Sequence, residues 1–256
     1  MRHSFIDKYS DGQSIIHRVD PRIKLIVFLS FILFVVSTGP AAFTCFALYG
    51  ACLTVLIFLS GIPFGFVIKR SLVIIPFVLA IAVFIPFFRE GEIAGMFSFG
   101  PIDLTVTHDG LMVFWNVLAK AYLSVLCLIL LTSSTRFPDL LKALERLHLP
   151  RLFVMILSFM YRYIFLVMDE FMIMKRAKDS RLISNSKWLH IRVLANMTGA
   201  LFIKSYERAE NVYLAMCSRG FSGQIRTLST FQLKKSDLNF IIILTIVLTG
   251  IRLIGN

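Results

Sequence analysis

Charged residues make up only 16% of this 256-residue chain, and acidic ones are the scarcest: 15 Asp and Glu stand against 27 Lys and Arg. A soluble domain is nearer a quarter charged. With 57% hydrophobic residues, a water-facing globule is excluded, because the apolar surplus would lie in large exposed patches. The same surplus excludes disorder. Four Cys and 14 Gly are too few for a disulfide framework or a collagen-like repeat.

The four cysteines, Cys45, Cys52, Cys127 and Cys217, are scattered singly with no CxxC pair. They read as small buried hydrophobes rather than a zinc or disulfide set. His3, His17, His108, His148 and His190 are isolated, so no metal site is expected. No GxxxxGK[ST] phosphate loop, HExxH pair or serine nucleophile elbow occurs, and no catalytic activity is expected. Residues 1–22 are polar, with no short apolar core before a cleavage site. The first apolar segment is therefore expected to serve as its own insertion signal.

What is present is a set of long apolar runs. A spanning helix needs about 20 mostly apolar residues. The candidates are Ile23–Val36, Ala41–Ser60, Leu72–Phe88, Leu111–Thr132 and Leu238–Ile254. Asp20-Pro21 reads as an N-cap followed by proline at the first helical position. Ser37-Thr38-Gly39-Pro40 is an uncharged turn that pairs the first two runs as a hairpin. Pro76 and Pro86 predict a kink or break in the third. Leu152–Met168 and Leu189–Ile203 carry Arg162 and Arg192 and read as amphipathic helices at or below the interface.

The net charge of +12 is not spread evenly. Residues 133–235 hold 17 basic and 7 acidic side chains, a net of +10. The N-terminal segment carries Arg2, Lys8, Arg18 and Arg22, and Lys69-Arg70 marks another basic link. The link from Arg89 to Asp109 is acidic instead. The positive-inside rule then places the N-terminus, the Lys69-Arg70 link and the basic block in the cytoplasm. Three regions follow: four membrane helices in 1–132, a cytoplasmic or interfacial helical block in 133–235, and a last membrane helix in 236–256. The expected fold is all-α and polytopic, with about five transmembrane helices and long amphipathic helices on the cytoplasmic side. Lys120, near the middle of the fourth run, has no intramembrane carboxylate to pair with. Its expected partner is a carbonyl or a neighbouring subunit.

The block has ordered punctuation. Pro138-Asp139 opens a short helix that ends at Leu149-Pro150. Lys175, Arg176, Lys178 and Arg181 close a second helix. Ala209, Val212, Tyr213 and Met216 share the face of a third, with Gly220 placed just past its end. Chemistry alone leaves docking and simple helix capping both open for Arg181 and Arg219.

These residues resemble a known family. Tyr206-Glu207-Arg208-Ala209-Glu210, Tyr213-Leu214-Ala215-Met216 and Ser218-Arg219-Gly220-Phe221 look like the second coupling motif of the transmembrane subunit of energy-coupling-factor (ECF) transporters, nearest the cobalt/nickel CbiQ branch. His17-Arg18-Val19-Asp20-Pro21-Arg22-Ile23-Lys24, Leu144-Glu145-Arg146-Leu147-His148-Leu149-Pro150 and Tyr161-Arg162-Tyr163 with Asp169-Glu170 and Arg176-Ala177-Lys178 add to it, in order along nearly the whole chain.

The resemblance implies a non-catalytic scaffold in a bacterial or archaeal cell membrane. It would sit between a substrate-binding S component (metal-binding, CbiM-like) and two cytoplasmic ABC-type ATPases, which would handle ATP and Mg. A small accessory membrane subunit and a link to cobalamin biosynthesis go with the cobalt branch. Two coupling helices ending in Ala-Arg-Gly-like triplets would dock the ATPases. The second triplet is Ser218-Arg219-Gly220. The first is Ser180-Arg181-Leu182, with Ala177-Lys178-Asp179 as the other register; the triplets at Ser180 and Ser218 have Ser where the family has Ala, and the upstream one lacks the glycine. The alternatives are the same scaffold serving a vitamin S component and a stand-alone secondary transporter. The transporter would need polar groups lining several spans. Nucleic acid is not an expected partner, because the aromatic residues follow apolar faces rather than exposed cations.

Overall fold

The computed structural model describes residues 12, 14–39, 42–88, 93–99, 102–147, 149–181, 187–223 and 235–254. A short helix α1 (Ile15–Arg18) precedes α2 (Pro21–Ser37). Asp20 caps α2 by accepting from the Arg22 N–H at 3.0 Å, and Pro21 fills the first helical position, as the sequence predicts. Next come α3 (Phe43–Ser60), α4 (Phe64–Leu72), α5 (Ile75–Ala82) and α6 (Ile85–Phe88). An antiparallel hairpin of β1 (Ile93–Phe99) and β2 (Ile102–Thr107) leads into α7 (His108–Ser134). The rest is α8 (Phe137–Arg146), α9 (Arg151–Arg181), α10 (Lys187–Ser218) and α11 (Lys235–Ile254).

Among the described residues, five helical stretches are long and apolar enough to cross a membrane: Phe43–Ser60, Phe64–Ala82, His108–Ser134, Arg151–Arg181 and Ser236–Ile254. Helix α2 is as apolar, and its 17 residues reach about 26 Å. The chain is an all-α polytopic membrane protein carrying one small hairpin.

The third run differs in detail from its sequence reading. The helix begins at Phe64, so Lys69 and Arg70 lie in the last turn of α4 rather than in a link. Their location follows from Pro63, which has no N–H to give and starts the helix early. The break predicted from the prolines is present twice. Helix α4 ends at Leu72, four residues before Pro76, and α5 ends at Ala82, four before Pro86. A proline ring clashes with the carbonyl four residues back, so each helix stops there and a new one starts. Gly110, in the first turn of α7, then lets α6 come close: a Cβ there would lie 2.7 Å from Pro86 Cα.

The β-hairpin was not foreseen in the Arg89–Asp109 link. Its register pairs Met96 with Thr105 and Ser98 with Asp103. The signal was a Gly100-Pro101 break between two stretches that include Thr105, Val106 and Thr107.

The described residues group into two compact units, residues 4–143 with 231–256 and residues 144–230. The first, the membrane body, has a continuous core. Phe28, Phe31, Val35, Cys45, Tyr49, Leu53, Cys127 and Leu130 have no exposed surface. Phe31 meets Tyr49 edge-on at 5.7 Å. Leu244, Leu248 and Ile251 follow the helical period on α11 and join the same core. Two thiols fasten helices together: Cys127 donates to the Phe28 carbonyl and Cys45 to that of Ile251. The second unit consists mainly of α9 and α10, of 31 and 32 residues. At 1.5 Å per residue these are about 46 and 48 Å long. Arg162 does not interrupt α9, which is one continuous helix and, by length and composition, a candidate span rather than only an interfacial one.

Candidate functional site

The end of α10 is built by local hydrogen bonding. Gly220 takes a positive φ of 78°, a conformation that costs other residues their Cβ clearance. The Phe221 N–H donates to the Met216 carbonyl at 3.1 Å, and the Gly220 N–H to that of Cys217 at 3.0 Å. This pair is the Schellman closure, and Met216 and Phe221 are both half-buried beside it. The Ser218 hydroxyl donates back to the Leu214 carbonyl. Arg219 is left exposed at the cap, where the helix dipole favours a cation. One turn earlier, the Cys217 thiol holds the Tyr213 hydroxyl above its usual pKa range.

The end of α9 repeats part of this arrangement. The Ser180 hydroxyl donates back to the Ala177 carbonyl, and Arg181 is the last helical residue and exposed. Leu182 lies outside the described residues. The other register centres on Lys178, whose side chain is only 12% exposed and pairs with Asp179 at 3.2 Å.

Between α9 and α10 runs a groove of about 390 Å³ that sequence reasoning missed. Ile156, Phe159 and Met160 face Leu201, Val212 and Met216 along it. Glu170 of α9 pairs with Lys204 of α10, and Arg208 adds its charge nearby. The sequence quoted Asp169-Glu170 as a motif without supplying its partner, which lies 34 residues away.

That pairing sets how far apart the two motifs sit. The five residues 182–186 join α9 to α10, so their chain reach keeps the start of α10 within about 20 Å of Arg181. The two helices therefore run back past one another, crossing near Glu170 and Lys204. Arg181 lies 11 residues beyond Glu170, and Arg219 lies 15 beyond Lys204, about 16 and 22 Å along their helices. The two arginines thus stand at opposite ends of the pair, on the order of 35 Å apart.

Lys120 donates to the Val36 carbonyl at 2.9 Å, the carbonyl partner expected for it. Arg252, which the sequence reading passed over, reaches the same end of α2. It donates to the Ser37 hydroxyl at 3.3 Å and lies 5.8 Å from the Phe34 ring centroid. Two cations thus complement the carbonyl end of α2. Lys24 was quoted only as part of a motif, yet it is 1% exposed. Its ammonium donates to the carbonyls of Ser134 at 2.9 Å and His17 at 3.2 Å. Among the described residues, no three His, Cys, Asp or Glu side chains gather as a metal site. What the two helix ends offer is binding: exposed guanidinium forks suited to carboxylates.

Known proteins are similar to this chain over most of its length. An uncharacterised protein of Methanocaldococcus jannaschii is 27% identical, over 96% of this chain and 85% of its own. The energy-coupling factor transporter transmembrane protein EcfT of Listeria innocua is 28% identical over 87% and 86%. The protein of that name in Thermosediminibacter oceani is 27% identical over 100% and 97%. The profile of the CbiQ family, described as cobalt transport protein, matches residues 12–229. With helices, caps and motifs in that order, the chain belongs to the CbiQ family of membrane transport proteins.

Proposed function

We propose that this protein is the membrane scaffold of an ECF-type importer, passing the ATP-driven motion of two cytoplasmic ABC-type ATPases to a membrane S component. The observation that carries the reading is one helix pair with an exposed arginine at each far end. A single partner groove would call for one such end, whereas two ATPases call for two. Closure of the ATPases can move the pair only if it makes different contacts in their open and closed states. The apolar flanks of α9 and α10 support the S-component half of the reading. Leu152, Phe153, Ile191 and Phe202 are all more than half exposed, and an apolar surface of that extent is covered by lipid or protein.

ATP and Mg belong to the ATPases, and the chain itself performs no chemistry. Cobalt is the proposed cargo, with nickel next, supported by the family description. A metal-binding, CbiM-like S component and a small accessory subunit complete the assembly, which would supply cobalamin biosynthesis. The vitamin-importing version draws support from the relatives named EcfT. The N-terminus, Lys69-Arg70 and the basic block face the cytoplasm in this arrangement, as their charge favours.

The test is co-purification of the tagged chain with its co-encoded neighbours. Arg219→Glu and Arg181→Glu should each weaken ATPase retention at least tenfold, about 1.4 kcal/mol, since each sets a carboxylate against an acidic groove. Unchanged retention and uptake in both variants sink the docking assignment. Uptake of labelled cobalt, nickel and vitamins by the intact importer separates the two cargo readings.

A further inference from the structure

Lys24 is a charged residue with almost no exposed surface, in the first turns of α2. A buried ammonium persists only where hydrogen bonds and opposite charge replace water. Its two carbonyl acceptors are described above, and Ser134 is the last residue of α7, at the negative end of that helix. Asp139 lines the same polar cavity as Lys24, and Asp20 stands four residues before it at the head of α2. Asp20 and Asp237 are themselves buried, and the Asp20 backbone N–H donates to the Asp237 carboxylate at 3.3 Å.

The placement of these groups along the chain is informative. Asp20 and Lys24 stand at the head of α2. Ser134 and Asp139 flank the α7–α8 junction, where the chain runs out towards residues 144–230. Asp237 lies in the first turn of α11, where the chain has come back. The described chain on either side of residues 144–230 therefore meets at one cluster, in which Lys24, Asp20, Ser134 and Asp237 are buried and Asp139 is part-exposed and paired with Lys142 at 3.7 Å.

We propose that Lys24 is a positioning residue for transport, clamping both connections of the coupling unit to the head of the first membrane helix. Displacement of that unit is then delivered to α2 instead of being taken up in the connections. The transmission half of this inference rests on the scaffold reading above; the clamp itself does not.

The clamp is tested on the full chain in lipid nanodiscs by amide hydrogen exchange. In Lys24→Met, exchange over Leu140–Ala143 and over Asp237–Phe240 should rise together by tenfold or more, with α3 unchanged. Lys24→Arg should stay within about twofold of the native rates. A polar cavity of about 180 Å³ beside Lys24, lined by His17, Ser134 and Asp139, leaves room for the guanidinium. Exchange that is unchanged, that rises at one connection only, or that rises through α3 as well overturns the clamp. If Lys24→Met does not accumulate in membranes, the isosteric Asp237→Asn is read by the same criteria. Failure of both to accumulate makes the cluster a folding requirement and also overturns it.

In the assembled importer, Lys24→Met should keep its ATPases while cargo moved per ATP hydrolysed falls at least tenfold. A native ratio with ATPases bound overturns the transmission role. Absence of ATPases from the unaltered chain sinks the scaffold reading, and the exchange measurement still judges the clamp.

Discussion

The two units of the molecule differ in whether they hold an apolar core of their own. The membrane body packs Phe28, Phe31 and Tyr49 with no exposure at all, while Phe58, Phe77 and Ile81 stay more than 70% exposed on its outside. The unit of residues 144–230 leaves nearly all of its large side chains outward. Val154 is the one buried residue of α9, none is buried in α10, and Trp188 and Phe202 are 81% and 71% exposed. A body of the first kind has a core within its own chain. Helices of the second kind gain their burial from lipid or another protein, so their stability in isolation says little about their stability in place.

The largest expected contrast is between two phenylalanines. Phe31→Ala should cost about 3–5 kcal/mol, read as a lower unfolding temperature in nanodiscs. Phe202→Ala should cost the isolated chain under about 0.5 kcal/mol. Equal losses would erase the distinction between the units. Gly110→Ala comes next: a Cβ would press on Pro86 backbone, and a cost of about 1–3 kcal/mol is expected from overpacking. Its effect should be confined to α6 and α7 in hydrogen exchange. Gly220→Ala should cost about 1 kcal/mol through its left-handed backbone, seen as faster exchange at Gly220 and Phe221 with the body untouched. Glu170→Gln should change global stability least. Spin labels on α9 and α10 should report a broader distance distribution, and the native pair should loosen similarly in high salt.

Where the chain was legible in its sequence, the determinants were local. The Asp20-Pro21 cap, the breaks ahead of Pro76 and Pro86, and the stop at Gly220 each depend on residues within a few positions. Hydrophobic run length was equally readable, because a bilayer sets a fixed scale. Lys120 was legible in part: a carbonyl or a neighbouring subunit was its expected partner, and the Val36 carbonyl accepts from it.

Long-range pairing was not legible. Lys24 meets Ser134 across 110 residues and Asp20 meets Asp237 across 217. In one sequence, nothing distinguishes that lysine from its basic neighbours Arg18 and Arg22. Helix α9 was legible as one long helix despite Arg162, and its length and composition also make it a candidate span. The hairpin was missed because charge, rather than alternation, was used to read the Arg89–Asp109 link. The motif triplets could be found by resemblance, but the separation of Arg181 from Arg219 needed the Glu170–Lys204 crossing.

The four cysteines carry a practical consequence of this architecture. Cys45 and Cys127 are fully buried with their thiols hydrogen-bonded to carbonyls, and Cys52 lies within a membrane helix. Cys217 is exposed, two residues from Arg219. A water-soluble maleimide should therefore label the native chain chiefly at Cys217, without any cysteine being removed or introduced. Protection of that thiol when partners are added would report occupancy of the α10 tip in intact membranes.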